Sequence, residues 1–304
     1  DAVMALSPPL TLAPAGWIAA RRHRCPLVLN VQDVFPDVAI EVEAITSPLA
    51  IRLFRSLERF SYRRSDAVTV LSDDLAANVV GKLPGSSSDP LVRVIPNFVD
   101  TTAIRPLDRD TTYRSELGLG ERTVVMYAGN LGHSQSLWII VEAARRHRDR
   151  DDIAYVINGG GVAAGELGRA AEELPNLTVV GYQPAERVPE VLATADMHVV
   201  ALRRGLAASS VPSKMYSILA AGRPLIASVD EGSEVARVVG EAGAGVAVPP
   251  EDAEAFIAAV ERLASDAEER WSMGASGRAW AEQWASPRSV AEAHMQLMGE
   301  LLSR

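Results

Sequence analysis

The chain has 304 residues, and its 48% of apolar residues are enough for the cores of two domains. Its formal net charge is −9, and no nucleic-acid partner is expected. The single cysteine, Cys25, excludes an internal disulfide and fits a reducing cytoplasm, and no apolar run approaches the ~20 residues of a membrane span.

The first hundred residues predict four strands with helices between them. The strands are expected at residues 2–5, 27–31, 67–71 and 91–95, and the helices at residues 12–22, 48–64 and 73–82. Four strands in about a hundred residues make a thin domain.

The helix expected at residues 48–64 carries a basic stripe. Arg52, Arg55, Arg59 and Arg63 recur at helical spacing, although residues 1–100 have a net charge of −1. A solvated helix face is the simpler interpretation. A surface that lies on an anionic membrane, at the inner face of the cell membrane, is the alternative.

From residue 123 onward, short apolar segments alternate with helical patterns. Strands are expected at residues 123–128, 153–158, 177–180, 197–202, 224–229 and 245–248, with helices near the end at 252–263, 267–284 and 288–302. This alternation predicts an α/β fold with a parallel sheet covered on both faces. Ligands bind such sheets beyond the carboxyl ends of the strands.

Three loops at these strand ends have the chemistry of a phosphate site. Residues 129–136 and 158–161 contain glycines, which let backbone N–H groups approach a phosphate closely. In the third loop Pro212 and Ser213 suit the start of a helix, and Lys214 adds one of only two lysines in the chain. A capped helix with an exposed lysine is the alternative for the third loop alone. Together the loops favour a nucleotide diphosphate site.

Five segments in a fixed order resemble a known family. They are residues 94–100 (VIPNFVD), 127–132 (YAGNLG), 176–183 (NLTVVGYQ), 195–196 (AD) and 212–224 (PSK…AAGRP). The order resembles the family 4 retaining glycosyltransferases of the GT-B fold, above all bacterial enzymes of O-antigen, colanic acid and exopolysaccharide assembly. The resemblance covers nearly the whole chain.

The resemblance implies an α/β architecture of two Rossmann-like domains whose parallel sheets face each other across a cleft. Residues 1–100 would form an acceptor-side domain, which we expect to be incomplete at its N-terminus. Residues 101–285 would form the donor-binding domain, and residues 286–304 a helix that returns to the first domain.

The resemblance also implies a nucleotide-sugar donor, with a UDP-sugar favoured, and a lipid-linked or glycan acceptor. No cofactor and no metal are expected, because the loops offer no pair of carboxylates near a strand end. Lys214 would neutralise the diphosphate leaving group, and Gly181, Tyr182 and Gln183 would contact the base. The full set of expected donor-binding residues is Gly129, Asn130, Leu131, Gly132, Ser134, Gln135, Asn158, Gly159, Gly160, Gly181, Tyr182, Gln183, Val211, Pro212, Ser213, Lys214 and Ser217.

The chain departs from the family pattern on the donor side. Ser209 and Ser217 occupy the positions of two glutamates that many relatives carry. Asn130 and Gln135 stand where a basic pair is common, so fewer charges would hold the diphosphate. Arg203 or Arg204 would compensate, unless both are solvated.

On the acceptor side, the expected catalytic residues are Gln32 and Asp33, with Lys214 on the donor side. Gln32 corresponds to a histidine of many relatives and cannot act as a base. Asp33 is the better group to position or deprotonate an acceptor, and its alternative role is to cap the following turn.

Two other functions stay open. A non-catalytic nucleotide-sugar-binding module fits the replaced glutamates. A GT-B nucleotide-sugar 2-epimerase would need histidines in the cleft, and His133 is the only histidine in a candidate loop.

Overall fold

The computed structural model describes residues 1–132 and 134–303, and the chain divides into two compact units. The first unit consists of Asp1–Asn97, Gly205–Val211 and Arg288–Arg304, and the second of Phe98–Arg204 and Pro212–Pro287. The divisions expected at residues 100 and 285 therefore differ by a few residues. The sequence did not predict that Gly205–Val211 belongs to the first unit.

The first unit is built on a four-stranded parallel sheet of order β1-β2-β3-β4. Its strands are β1 (Val3–Ser7), β2 (Leu27–Val31), β3 (Ala67–Val70) and β4 (Leu91–Val94). Its helices are α1 (Leu12–His23), α2 (Asp37–Glu41), α3 (Pro48–Arg64), α4 (Asp73–Gly81) and, at the end of the chain, α13 (Pro287–Leu302).

The apolar strands explain this sheet. Every residue of β2 and β3 is buried, as expected for central strands with both faces covered. The last helix, α13, packs Val290, Leu297 and Leu301 into an apolar cluster of the first unit that also includes Val28 and Ile95.

The second unit holds six parallel strands in the order β10-β9-β8-β5-β6-β7. The strands are β5 (Thr123–Asn130), β6 (Ile153–Gly160), β7 (Leu177–Val180), β8 (Met197–Ala201), β9 (Leu225–Ser228) and β10 (Gly245–Val248). The helices are α5 (Thr112–Glu116), α6 (Trp138–Arg146), α7 (Ala164–Glu172), α8 (Val188–Thr194), α9 (Lys214–Ala220), α10 (Glu234–Ala242), α11 (Ala253–Ser265) and α12 (Ala267–Trp284). A 3-10 turn covers Ala185–Arg187.

This order is that of a doubly wound Rossmann sheet, in which the chain leaves β5 in one direction and returns at β8 in the other. The switch point therefore lies between β5 and β8. These two strands pair only at Val125 with Met197 and Met126 with His198, although β5 continues to Asn130. Their carboxyl ends are not hydrogen-bonded to each other, which leaves an opening at the switch point.

All ten strands predicted from the sequence are confirmed, with boundaries shifted by up to two residues. β5 and β6 are each two residues longer than predicted, because they extend through Gly129 and Asn130 and through Gly159 and Gly160. These residues pair with one another as strand, whereas the sequence placed them in loops.

Candidate functional site

The carboxyl ends of β5 and β8 bring two of the predicted loops of the second unit together. The backbone N–H of Arg203, after β8, donates to the carbonyl of Ser134, in the loop after β5, at 2.9 Å. The segment after β8 later re-enters the second unit at Pro212 and begins α9. The candidate site therefore lies at the switch point, where doubly wound sheets bind ligands.

Lys214 is the cation of this site. It is the first residue of α9, and its Nζ donates to the hydroxyl of Tyr127 and lies 3.8 Å from the centroid of that ring. A Cβ at Gly129 would lie 3.1 Å from Nζ, and Gly129 has a φ of 144°, which favours glycine. Gly129 therefore leaves room for the ammonium at the end of β5.

Burial controls the charge of Lys214. It lowers the pKa of Lys214 to about 7, because the charged form loses water around it. Burial also raises the pKa of Tyr127, which stays protonated and donates to the carbonyl of Asn130 at 2.7 Å. An anion beside Nζ would supply the missing countercharge and raise the pKa of Lys214 again.

Close packing of β5 on β6 explains the neighbouring glycines. A Cβ at Gly159 would lie 1.8 Å from the carbonyl oxygen of Gly129, and a Cβ at Gly161 would lie 2.6 Å from that of Leu131. Both glycines have a φ between +140° and +160°. The polypeptide itself needs glycine at 159 and 161, so these residues are not evidence for a phosphate.

Two predicted donor residues have structural roles instead. Leu131 is fully buried in the apolar core, and its N–H donates to the carbonyl of Gly160 at 2.8 Å, so this N–H is already used. Asn158 is buried and accepts a hydrogen bond from the hydroxyl of Tyr113 at 2.5 Å. We therefore correct the expectation for these two residues.

Tyr182, which follows β7 in the chain, places an exposed aromatic ring beside the end of β6. Its hydroxyl donates to the carbonyl of Gly160 at 2.8 Å, and a Cβ at Gly160 would lie 2.8 Å from the ring. The side chain is nevertheless 62% exposed. Gly181 is also exposed, and Gln183 donates to its carbonyl at 3.3 Å. Tyr182 is thus fixed at its edge and free on a face, as a stacking platform requires.

A cavity of about 430 Å³ continues the site along α6 and α7. It is lined by Gly132 and Gln135 from the loop after β5, by Trp138 and by Arg203. The side-chain amide of Gln135 forms its hydrogen bonds within the loop. It accepts from the N–H of Gly132 at 3.0 Å and donates to the hydroxyl of Ser134 at 2.8 Å.

The two arginines after β8 differ in what their side chains contact. Arg203 lines this cavity, whereas Arg204 donates to the carbonyl of Pro250 at 3.0 Å. Of the two arginines, Arg203 therefore borders the cavity, which Glu142, Glu166 and Glu251 also line.

The start of α9 corrects the prediction of a helix N-terminus that binds an anion. The helix begins at Lys214, not at Pro212 or Ser213. In its first turn the N–H of Met215 donates to Pro212 and that of Tyr216 to Ser213, both at 3.2 Å. Because these N–H groups are already used, the lysine side chain is the feature of this helix start that could meet an anion. Ser217 lies half-buried one turn further along the helix.

In the first unit, Asp33 contacts the segment Gly205–Val211. It forms an isolated antiparallel bridge with Ser210, whose hydroxyl donates to the Asp33 carboxylate. The pKa of Asp33 is raised by burial, an effect that the Ser210 hydrogen bond partly offsets. Gln32 donates to the side chain of Asn30. Asp33 is therefore tied to a distant segment, and no side-chain cap is found at the N-terminus of α2.

Further contacts hold the same segment in the first unit. Ser209 is fully buried and donates to the carboxylate of Glu41, and Asn78 donates to the carbonyl of Ala208 at 2.9 Å. Val211 is part of the apolar core of this unit, so its side chain is not available to a ligand in the second unit. Val211 was predicted to be a donor-binding residue, and its buried side chain leaves only its backbone for such a contact.

Sequence reasoning missed Tyr127 as a site residue. Its position in a buried strand gives no sign that a lysine from α9, 87 residues later, reaches it. Within residues 1–132 and 134–303, no group of three or more His, Cys, Asp or Glu could hold a metal ion. His133, the histidine that an epimerase would need, lies outside the described residues.

Two family models match the chain. Residues 1–97 match the glycosyl transferase 4-like domain, and residues 122–266 match the glycosyl transferases group 1.

Two curated proteins are similar in sequence. One is named as a colanic acid biosynthesis glycosyl transferase, WcaI, of Escherichia coli strain K12, at 27% identity over 86% of this chain and 66% of its own length. The other is named as a glycosyltransferase, WbjE, of Pseudomonas aeruginosa, at 27% identity over 78% of this chain and 59% of its own length. The chain thus spans about three fifths to two thirds of these relatives.

Solved structures share the fold. The Anabaena protein HepE in complex with UDP and glucose has a TM-score of 0.79 at 16% identity, covering 98% of this chain and 78% of its own. Sucrose-phosphate synthase of Thermosynechococcus elongatus has a TM-score of 0.76 at 18% identity, covering 99% of this chain and 74% of its own.

Proposed function

We propose that the chain is a glycosyltransferase, which transfers a sugar from a nucleotide diphosphate sugar to an acceptor hydroxyl. The matches of residues 1–97 and 122–266 to two glycosyl transferase models support this proposal. We further propose that the anomeric configuration is retained. The acceptor is a lipid-linked sugar or a glycan of the cell surface. The names of the two curated relatives, as a colanic acid glycosyl transferase and a glycosyltransferase, support this assignment.

Lys214 is the single observation that carries the proposal. In the transfer, the bond between the sugar C1 and the diphosphate oxygen breaks while a bond from the acceptor oxygen to C1 forms. The negative charge then grows on the departing diphosphate, which takes the acceptor proton. A buried ammonium with a lowered pKa is suited to this task, because it gains its full charge as the diphosphate binds.

UDP is the proposed carrier of the sugar. The structural neighbour HepE was solved with UDP and with UDP-glucose, which supports a uridine nucleotide as the carrier. In this chain the exposed ring of Tyr182 would stack on the base. Lys214 lies beside Gly129 at the carboxyl end of β5. Tyr182 lies beside Gly160 at the carboxyl end of β6.

Arg203 is proposed as the second cation for the diphosphate. Asn130 and Gln135 carry no charge, so Lys214 alone would face two phosphate groups. Arg203 lines the cavity beside Gln135, and its backbone is fixed to Ser134. With Arg203 and Lys214 supplying positive charge, we propose that the leaving group is stabilised without a divalent metal.

Asp33 is proposed to position the acceptor hydroxyl. Its raised pKa and its hydrogen bond from Ser210 describe a carboxylate in a partly buried setting. The departing phosphate takes the proton, so Asp33 needs to orient the hydroxyl more than to remove its proton.

The test is a thermal-shift screen of UDP-, GDP- and ADP-sugars, followed by calorimetric titration of the best ligand. A ligand at about 100 times its Kd adds about 2.7 kcal/mol to stability, and we expect the UDP-sugars to give the largest shift. Nuclear magnetic resonance of the transferred or hydrolysed sugar then reports its anomeric configuration. Donor binding without any turnover would instead support the non-catalytic module, for which the two serines at 209 and 217 are the argument.

A further inference from the structure

The exposed side of α1 and α3, in the first unit, concentrates positive charge in an acidic chain. We call it the arginine face and define it by Arg21, Arg22, Arg24, Arg52, Arg55, Arg59, Arg63 and Arg64. The two helices carry one carboxylate, Glu58, which is buried and held by Lys82 at 2.6 Å. All eight arginines are exposed, and none of them is in an ion pair among the described residues.

The charge is local. The whole chain has 30 basic and 39 acidic residues, so removing the eight arginines and Glu58 leaves 22 basic and 38 acidic residues elsewhere. A chain that is acidic overall is repelled by an anionic partner except where such a face is presented. The arginine face therefore determines how an anionic surface would approach.

Large apolar side chains lie among these arginines. Leu49 and Leu53 of α3 are 77% and 66% exposed, and Ile18 of α1 is 61% exposed. Along α3, Leu49, Leu53, Arg52 and Arg63 fall on the same side of the helix, since their spacing follows the helical repeat. Single exposed leucines are common on protein surfaces. Leucines that alternate with arginines lacking an ion pair form an amphipathic surface, which can make both apolar and electrostatic contacts.

Aromatic rings hold part of the face in place. Trp17 of α1 packs edge-on against Phe60 of α3, with ring centroids 5.6 Å apart. The guanidinium of Arg64 lies 5.2 Å from the centroid of the Trp17 ring, and that of Arg21 lies 5.7 Å from it. These contacts join the two helices and fix the direction of both arginines.

A concavity lies beside these rings. Its volume is about 440 Å³, and it is lined by Ser56, Arg59, Phe60, Arg63 and Arg64. Three guanidinium groups and a hydroxyl around one hollow suit a phosphate oxygen cluster, because guanidinium donates paired hydrogen bonds to phosphate.

From this arrangement we propose that the arginine face docks on a bilayer of anionic phospholipid. The arginines would contact the headgroup phosphates, while Leu49, Leu53 and Ile18 would reach the boundary of the acyl chains. A bilayer is the partner that offers a continuous negative surface and an apolar layer beneath it, whereas a nucleic acid or a free phosphate offers only the charge. None of the helices in the described residues is long and apolar enough to cross a membrane.

The test is co-sedimentation with two kinds of vesicle: phosphatidylcholine alone, and phosphatidylcholine with about 30% phosphatidylglycerol. We expect the protein to bind the anionic vesicles, with binding that falls steeply as salt rises, and not the neutral ones. Each basic residue near an anionic surface changes partitioning about fivefold, so Arg52→Glu/Arg59→Glu/Arg63→Glu should lower it at least about 100-fold.

A matched control variant alters the net charge by the same amount, but at residues outside the arginine face. Arg145, Arg148 and Arg169 are exposed residues of the second unit, and their triple change to Glu should leave vesicle binding within a few fold of the wild type. A second variant, Leu49→Ser/Leu53→Ser, should weaken vesicle binding while keeping its salt dependence. Unchanged circular dichroism and unchanged UDP affinity show that each variant is folded, and they keep this test separate from the proposed transferase activity.

Four results would overturn the proposal. They are absence of binding to anionic vesicles, equal binding to neutral vesicles, an equal loss in the control variant, and binding to duplex DNA without binding to vesicles.

Discussion

Replacing Lys214 by methionine should make the protein more stable and less able to bind its donor. Methionine keeps the length of the side chain and removes the charge that burial disfavours. Burial lowers the pKa of Lys214 from 10.5 to about 7, and each pKa unit corresponds to about 1.4 kcal/mol. The shift therefore sets an upper limit of about 4–5 kcal/mol on the cost of the charge. Because the residue keeps some contact with solvent, we expect a gain of about 1–3 kcal/mol in the free energy of unfolding.

The pH dependence follows from the direction of the shift. Below pH 7 the lysine is protonated in both the folded and the unfolded protein, so the folded state carries the whole cost of the buried charge. Between pH 7 and 10.5 the folded protein releases the proton first, and the cost shrinks as the pH approaches the unfolded pKa. The advantage of Lys214→Met should thus be largest near about pH 6 and small near about pH 10.

Two assays check the prediction. Urea unfolding followed by circular dichroism, at about pH 6, 8 and 10, gives the stability difference. Calorimetric titration with UDP gives the affinity, which should fall about 10- to 100-fold, because a hydrogen bond to a charged group contributes about 1.5–3 kcal/mol. Two results would refute the reasoning and show that Lys214 is a structural residue. One is a variant that is less stable than the wild type at pH 6. The other is a change in the free energy of unfolding that is the same at every pH.

Four further predictions concern the same chemistry. Arg203→Ala should weaken UDP affinity about 5- to 30-fold, while Arg204→Ala, its matched control, should change it by less than about twofold. The affinity for UDP-glucose, whose diphosphate does not titrate near neutral pH, should fall about tenfold per pH unit above about pH 7 in the wild type and stay flat in Lys214→Met. Treatment with EDTA should leave donor binding and turnover unchanged, and restoration of a lost activity by Mg²⁺ or Mn²⁺ would contradict the proposed metal-independent site. Asp33→Asn should reduce transfer at least about tenfold with UDP affinity retained, and full activity would remove Asp33 from the acceptor side.

The sequence predicted the sheets well because their strands are nearly continuous apolar runs. All residues of β8 and β9 are buried, and such segments between polar loops have few other places in a soluble fold. The ends of β5 and β6 were harder to predict. Glycine and asparagine are rare in strands, and only the close approach of Gly159 to the Gly129 carbonyl explains their extended conformation.

Part of the candidate site could be identified from the sequence. Lys214 stood out because lysine is rare in this chain and follows a helix-start pattern. Its partner Tyr127 could not be found by local patterns, since the contact joins residues 87 positions apart and forms only when the sheet brings α9 beside β5. The same holds for the choice of Arg203 over Arg204, which depends on the carbonyl of Pro250.

The segment Gly205–Val211 shows most clearly what local sequence leaves out. It lies between a strand and a helix of the second unit, so the sequence assigned it to the donor domain. Its contacts are with residues far back in the chain, such as Glu41, which is 168 positions from Ser209. Ser209 is buried and Val211 lies in the apolar core of the first unit, but neither position produces a hydrophobic periodicity that the sequence would reveal.

This segment also determines how an Asp33 variant must be interpreted. Asp33 accepts a hydrogen bond from Ser210, and Lys214 follows Ser210 by four residues in the chain. Loss of transfer in Asp33→Asn could therefore come from the acceptor or from a displaced segment. Ser210→Ala separates the two, because it removes the hydroxyl and keeps the Asp33 carboxylate. If Asp33 acts on the acceptor, Ser210→Ala should keep most of the transfer rate, and its lost hydrogen bond should raise the pKa of Asp33 and move the acidic limb of the pH profile upward. A loss in Ser210→Ala as large as that in Asp33→Asn, with no shift of the profile, would assign Asp33 to holding the segment.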